Sequence, residues 1–559
     1  MLTNSKLLFL KFTLLMLSFL VVAFGQNAWI SQCALLASFC GYALFFYFIK
    51  DVSTKKAFFL GSLWFFCVQL VQLSWMSATT FTGAEMLLVY IGLSIVIGVQ
   101  FGVLCFVFSL SNKKGLKYLS LLALCGFWAL LEYSRLYWVS GFTFNPVGLA
   151  LCHSTYSMQI ASIGGVFCLS FYVLFTNLLF FKALQQKKLK IAVVTLSVLL
   201  FPYFFGFSYI YLQEKKPTNE KKLTALLFDT HITPNQREPL TQNASTFIPP
   251  YIQWREVLLQ IEKQTLNKKL DLIVLPESSV TFGAYEKPYP LGEVKQIMTS
   301  FYGQRIDKYF PALIEPFVKK VDDTYFVSNA FIMQLLSNLY DCHIVAGFDE
   351  TLKRGLSYNS AFFFSPGANK SQTYQKQILV PIGEYIPFDF LKFFARKYGI
   401  SDVFQRGKKN NVFTSKSGVI LVPSICIEET YSNLMRKQLK KAKTSSCVFV
   451  NVTNDIWYYP SKLGLQHFDL ARLRSVENGI PLIRSCNDGV SGYVDSFGRV
   501  IKTAQNEKKS LYNSVEVIVL LSKYKTLYFM WGDFFVLCIS IIFIMLATFS
   551  HKKGAFVKK

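Results

Sequence analysis

The sequence is poor in charge, in histidine and in paired cysteines, and each shortage excludes a class of protein. Only 16% of its 559 residues are charged and 52% are hydrophobic, where soluble domains carry about 25% charged residues. That balance argues against a wholly soluble protein. Five histidines and no His/Cys cluster leave no donor set for a metal, so neither a metal nor a cofactor is expected. The chain has 12 cysteines but no C-x-x-C pair. Seven of them lie in the first 170 residues, mostly inside apolar runs, where a cysteine acts as a small hydrophobe. Cys342, Cys426, Cys447 and Cys486 remain in the polar region, with Cys538 in the final apolar run, and no disulfide framework follows. A net charge of +25 raises the question of nucleic acid. No aromatic-interleaved or helix-turn-helix pattern supports it, and no nucleic-acid partner is expected.

What is present is a set of apolar runs of membrane-spanning length, about 20 residues each. Seven precede residue 213: Leu7–Phe24, Ile30–Ile49, Ala57–Trp75, Met86–Leu110, Tyr118–Trp138, Gln159–Phe181 and Ile191–Leu212. An eighth is Leu527–Phe549. The first has no small-x-small cleavage site after it, so it reads as a retained helix. Loops after the second, fourth and sixth runs carry Lys50, Lys55, Lys56; Lys113, Lys114, Lys117; and Lys182, Lys187, Lys188, Lys190. Loops after the first, third and fifth carry no Lys or Arg, and the tail adds Lys552, Lys553, Lys558 and Lys559. By the positive-inside rule both termini are cytoplasmic and 213–526 lies outside. The expected organisation is a seven-helix bundle over 1–212, an outer domain over 213–526, and a last helix with a basic tail over 527–559.

The outer domain alternates strands and helices. Strand-like runs are Leu223–Phe228, Leu272–Leu275, Ile344–Phe348, Ser360–Phe364, Val419–Ile425, Val448–Val452, Leu482–Ser485 and Gly492–Val494. Helical patterns cover Tyr251–Leu266, Tyr431–Lys443 and Leu465–Asn478, and the mixture argues a layered α/β unit. Residues 283–341 match no pattern.

Three segments carry chemistry. Leu272–Ser278 runs a buried strand into Pro276 and Glu277, placing a carboxylate at a strand's carboxyl edge, where α/β sheets bind ligands; a loop glutamate capping the next element reads equally well. In Tyr374–Pro387 one lysine, Lys376, precedes an apolar run and Glu384 sits between two prolines. A solvated lysine is the plain reading of that stretch. Val419–Glu429 ends a β-branched strand in Cys426 and turns polar, as an elbow exposing a nucleophile does, with a following helix N-terminus favouring a thiolate. A buried structural cysteine fits the same local pattern. Taken together, Cys426, Glu277 and Lys376 supply the nucleophile, the base and the oxyanion-stabilising cation that acyl transfer through a thiol requires. His467, in Gln466-His467-Phe468, fits a helix face rather than a rival base.

The order Leu-Pro-Glu277, Tyr374-x-Lys376-x-x-Leu-Val-Pro-x-Gly-Glu384-Tyr-x-Pro, Ile425-Cys426-x-Glu428 resembles the nitrilase superfamily. Asn451–Trp457, Gln466–Glu477 and Leu482–Gly489 extend the likeness. With seven apolar runs before the domain and one after, and with Trp128-x-x-x-Glu132-x-x-Arg135 and Gly141-Phe142, the chain is similar to the apolipoprotein N-acyltransferase family of Gram-negative bacteria. The resemblance implies a nitrilase-like αββα sandwich inserted into an eight-helix polytopic membrane protein of the bacterial inner membrane, with the catalytic domain in the periplasm. It implies a phospholipid acyl donor, a diacylated apolipoprotein acceptor and a monomeric enzyme. Glu277 would deprotonate Cys426, Lys376 would stabilise the oxyanion, and Glu384 and Glu428 would support the site. Ile427 departs from the tyrosine that follows the nucleophile in well-known members, and Phe228-Asp229-Thr230-His231 departs from their usual strand end. Phe388–Phe394 could form an apolar arm over the acyl chain or pack on the bundle. Two other readings share features with this one: a tethered amidase with the same three catalytic residues, and a transporter or lipid-binding bundle in which Glu132 and Arg135 pair.

Overall fold

Away from water every backbone N–H and C=O needs a partner within the chain, so long apolar runs fold as helices. The computed structural model describes residues 4–138, 141–216, 221–236, 247–265, 268–352, 355–387, 404–409, 411–442, 446–504 and 510–556. These pack as two units. The first comprises Met1–Pro217, Pro460–Gly479 and Tyr524–Lys559, the second Thr218–Tyr459 and Ile480–Lys523.

Among the described residues of the first unit five helices are long and apolar enough to cross a membrane: Ser31–Ile49, Met86–Lys113, Tyr118–Tyr137, Ser157–Gln186 and Leu189–Glu214. Phe9–Ala23 and Phe534–Ser550 are apolar but shorter. Helix Thr54–Gln72 carries Lys55, Lys56, Gln69 and Gln72 and meets neither description. The eighth expected span does not run unbroken from Leu527. Leu527–Trp531 is a short helix, Gly532 takes φ 62°, and the long helix begins at Phe534.

Polar side chains in this unit repair breaks in the backbone ladder. Residues Ala37–Gly41 form a π-helical stretch, which frees carbonyls and amides. Asn177 accepts from the Tyr42 and Ala43 N–H groups at 3.0 and 3.1 Å and donates to the Ala37 and Ser38 carbonyls at 3.0 and 3.1 Å. Pro202 interrupts helix Leu189–Glu214 and strips the Val198 carbonyl of its donor; the Tyr172 hydroxyl takes its place. Glu132 and Arg135 form no ion pair. Glu132 accepts from Trp128 Nε1 at 2.9 Å and the Val147 N–H at 2.8 Å, while Arg135 Nε donates to Gln100 at 2.8 Å.

Helix Leu463–Asn478 belongs to this unit. Its Gln466 donates to Gln26 at 2.6 Å and to Asn145, and accepts from Trp75 Nε1 at 3.0 Å. Glu477 accepts the Val166 N–H at 3.0 Å, where the helix restarts after Gly165 at φ 71°; a carboxylate suits that N-terminus. His467 is buried on the same helix with Phe144 against its ring, 5.8 Å between centroids.

The second unit holds strands β1 (Lys222–Thr230), β2 (Leu272–Glu277), β3 (Tyr289–Pro290), β4 (Val318–Val321), β5 (Thr324–Val327), β6 (His343–Leu352), β7 (Leu356–Phe364), β8 (Gln372–Gln375), β9 (Phe413–Thr414), β10 (Ile420–Ile425), β11 (Cys447–Asn454), β12 (Leu482–Asn487), β13 (Gly492–Val494), β14 (Val500–Thr503) and β15 (Tyr512–Leu520). The main sheet runs β8-β7-β6-β2-β1-β12-β11-β10-β9, with β15 on β1 and β13–β14 on β12. β1 touches β12 only at Asp229↔Cys486 and Thr230↔Asn487, while β15 pairs along all of β1. That narrow join lets the sheet fold into two facing halves.

Side chains alternate across each strand. Leu223, Ala225, Leu227, Leu272, Val274, Val345 and Phe363 share one core with Leu421, Ile425, Val448, Val450 and Ile483 of the other half. Leu226, Phe228, Ile273, Leu275, Ile344 and Phe362 face outward onto helices Pro250–Thr265 and Asn329–Tyr340. Each such buried side chain contributes about 1.5–3 kcal/mol. Residues 283–341, unplaced by pattern, contain helix Leu291–Tyr302, the β4–β5 hairpin and helix Asn329–Tyr340.

Candidate active site

β2 carries its apolar residues into Pro276 and Glu277, as the sequence pattern implied. Its pairing with β6 shifts register between Leu275 and Glu277, and Ser278 follows at φ 56°. Gly347 makes room opposite: a Cβ there would stand 2.7 Å from the Glu277 Cα. The buried Glu277 carboxylate accepts Asn359 Nδ2 at 2.7 Å through Oε1.

β8 ends at Gln375, and Lys376 is pinned by its backbone. Its N–H donates to the Asn359 carbonyl and its carbonyl accepts the Gly407 N–H, both at 2.8 Å. The side chain is 1% exposed and Nζ donates to Glu384 Oε1 at 2.7 Å. Glu384 is held in turn: its Oε2 accepts the Val380 N–H at 2.8 Å, its own N–H donates to the Val380 carbonyl at 2.9 Å, and Ile382 N–H donates to the Tyr385 carbonyl at 2.7 Å. Burial pulls the Lys376 ammonium down, but the charges of Glu384, Cys426 and Glu277 outweigh it and hold it above the usual lysine range.

Cys426 follows β10 at φ 51°, in the left-handed region, a strained position for a residue with a Cβ. Beyond it lies one 3-10 turn, Cys426–Thr430, before helix Ser432–Leu439. The expected thiolate-favouring helix start is therefore replaced by a single short turn. Burial pushes the thiol up to about 12; Lys376 pulls it down, while Glu277, Asp455 and Glu384 push it further up. At rest the sulfur is protonated, and an adjacent base must remove the proton.

Glu428, two residues on, accepts the Gln377 and Ile378 N–H groups at 2.6 and 3.2 Å, the Ile425 N–H at 2.9 Å and the Tyr374 hydroxyl at 2.9 Å. Burial pushes its carboxyl up to about 7 against those four donors and the charge of Lys376. Below the elbow, Arg484 donates to Glu429 at 2.8 Å and Asp455 at 3.0 Å, all three buried. At the end of β1, His231 pairs with Asp488 at 2.8 Å, and burial raises the Asp229 carboxyl to about 6.

Glu277, Lys376, Cys426 and Glu384 thus share one buried electrostatic cluster, and Glu428 braces it. The arrangement offers a thiol, a carboxylate to take its proton and a fixed ammonium for an oxyanion. Residues 240–517 match the Carbon-nitrogen hydrolase family, and residues 14–179 match the Apolipoprotein N-acyltransferase N-terminal domain. Among curated relatives, the Apolipoprotein N-acyltransferase of Chlamydia pneumoniae is 27% identical over 97% of this chain and 96% of its own length. That of Chlamydia caviae is 29% identical over 94% and 95%. That of Rickettsia prowazekii is 26% identical over 78% and 76%. Over most of its length the chain is similar to the apolipoprotein N-acyltransferase family.

Three residues around the site of this N-acyltransferase-like chain escaped the sequence reading. Asn359 donates to both Glu277 and Glu384, at 2.7 and 2.8 Å. Tyr374 links Glu428 to Gln438, which donates to its hydroxyl at 2.6 Å. Arg484 ties Glu429 to Asp455. Arg484 stands inside an apolar strand run, which was its available signal; Asn359 and Tyr374 lie among polar residues, where no such break marks them. Phe388–Phe394, the expected arm, lies outside the described residues.

Proposed function

We propose that this acyltransferase moves an acyl chain from a phospholipid to the α-amino group of the N-terminal diacylglyceryl-cysteine of bacterial lipoproteins, through a thioester on Cys426. Glu277 takes the Sγ proton, and the thiolate attacks the ester carbonyl. Lys376 Nζ, oriented by Glu384, stabilises the tetrahedral oxyanion. Collapse breaks the ester C–O bond, and Glu277 returns its proton to the departing lysophospholipid oxygen. The lipoprotein's neutral amine then attacks the thioester, Glu277 accepts the amine proton and passes it to the departing sulfur, and C–S cleavage leaves an amide and the free thiol. The observation that carries this reading is the buried Lys376–Glu384 pair at 2.7 Å, placed where its charge acts on Cys426 together with that of Glu277.

Residues 213–526 form the catalytic domain on the periplasmic side of the inner membrane. Eight spans over 1–212 and 527–559 hold it, both termini are cytoplasmic, and the enzyme acts as a monomer. The lysine-bearing and lysine-free loops that alternate along the sequence support this orientation. Both substrates are anchored in lipid, so a membrane-held site meets them without extracting either one.

The test is mass spectrometry of the purified chain incubated with phospholipid. The expected result is an acyl mass on Cys426 that is absent in Cys426→Ser and discharged by a diacylated lipopeptide. Ammonia release from small amides without any lipopeptide acylation would instead favour a hydrolase, the activity for which the family matching 240–517 is described.

A further inference from the structure

Asn359 occupies the middle of β7 and is 2% exposed. Its single amide nitrogen donates to Glu277 Oε1 at 2.7 Å and to Glu384 Oε1 at 2.8 Å, and the same Glu384 oxygen accepts Lys376 Nζ at 2.7 Å. The Asn359 carbonyl accepts the Lys376 N–H at 2.8 Å. Its side-chain oxygen, also buried, has no hydrogen-bond partner among the described residues, and the two carboxylates hold the amide in this orientation. Flipping it would set an oxygen against two carboxylate oxygens. One side chain therefore bridges two acids, and carboxylates brought close together tend to share a proton.

We propose that Asn359 is a positioning residue that keeps Glu277 ionised and aimed as the base for Cys426, by donating one N–H to each of Glu277 and Glu384. The inference rests on the acyl-transfer reading above and deepens it. The base that takes the Sγ proton must begin as a carboxylate, and a donated hydrogen bond favours that form. The Lys376 ammonium bonds Glu384, and its charge acts on Glu277 as well. Among the described residues, Glu277 and Asp455 both act on Cys426, and Lys376 acts on Glu428. Glu350 on β6 accepts from Ser360 and Gln375 at 2.8 and 3.0 Å.

The experiment follows the rate of Cys426 thioester formation from phospholipid against pH for the full chain in detergent, by mass spectrometry. Wild type serves as the control for the reading itself: if it forms no thioester on Cys426, the acyl-transfer function fails, whatever Asn359 does. Given a wild-type thioester, Asn359→Ala is expected to move the acid limb to higher pH by at least about one unit, with about a tenfold loss on that limb that is largely recovered at higher pH. Glu428 also titrates near 7 but does not bond Asn359, so only the shift from the wild-type limb counts. A lower thermal midpoint with an unmoved limb would make the residue merely structural and overturn the proposal. Should Asn359→Ala fail to fold, Asn359→Asp fills the same volume and brings a third carboxylate to the pair. It is expected to show a shift at least as large, and a wild-type profile from it overturns the proposal equally.

Discussion

Glu428 accepts the N–H of Ile425 at 2.9 Å, the residue before Cys426, and the N–H of Gln377 at 2.6 Å, the residue after Lys376. One carboxylate therefore sets the spacing of two elements nearly fifty residues apart in sequence, the nucleophile elbow and the lysine strand end. In the proposed mechanism that spacing is what lets the ammonium meet the oxyanion formed on the acyl group bound to sulfur.

Glu428→Gln should break this brace, because its amide nitrogen would face donors at one pair of contacts. Each lost hydrogen bond contributes about 0.5–1.5 kcal/mol, so a lower thermal midpoint and at least about tenfold slower thioester formation are expected. The sign with pH is fixed. The folded carboxyl is raised from 4.5 to about 7, so its contribution to stability is complete below 4.5 and is lost as pH rises through about 7. The stability gap between wild type and Glu428→Gln should narrow from pH 5 to pH 8 in denaturant titrations.

Glu384→Gln should act on Lys376. Glu384 supplies the largest charge holding that ammonium up against burial, and without it desolvation gains ground. The alkaline limb of thioester formation is expected to move to lower pH by at least about one unit relative to wild type. An unmoved alkaline limb in the rate profile would separate Lys376 charge from the reaction.

The chemistry was legible where a residue type broke a strong local pattern. Glu277 and Cys426 each end a β-rich run, and Lys376 with Glu384 frame a Pro-Ile-Gly-Glu turn, so four members of the cluster could be picked out along the chain. Asn359 could not, because the run of apolar residues after Ser360 drew the strand start past it; the observed β7 begins at Leu356. Its meaning lies in two carboxylates from other elements, which no local window contains. The same limit hid the grouping of helix Leu463–Asn478 with the first unit. Its amphipathic pattern fits either setting, and only the partners of Gln466 and Glu477 decide between them. The broken eighth span had a visible cue in Gly532, overridden by the apolar residues on both sides.

Cys426 should be a slow thiol until substrate arrives. Burial holds it near 12, whereas a free cysteine sits near about 8.5. Iodoacetamide alkylation of Cys426 in the resting enzyme, mapped by peptide mass, is expected to keep rising from pH 7 to pH 10 without a plateau. A plateau below pH 8 would mean a thiolate at rest and remove the need for a base.

Asn177 tests whether the first unit depends on its repaired backbone. Its side chain serves the N–H groups of Tyr42 and Ala43 and the carbonyls of Ala37, Ser38 and Val173. Asn177→Leu keeps the branching and heavy-atom count but leaves the π-helical groups without partners, each costing about 1–3 kcal/mol when buried. Rewinding the π stretch to α would recover part of that, because it closes the ladder at the expense of rotating Tyr42 and the residues after it out of their packing. The neighbouring Thr176 bonds only the Tyr172 carbonyl one turn back, so Thr176→Ala should cost less than about 1 kcal/mol. A loss of roughly 3 kcal/mol or more for Asn177→Leu against that control, read by denaturant unfolding in detergent, is the expected outcome. Equal effects of the two substitutions would mean that the stretch rewinds freely and that the asparagine is replaceable.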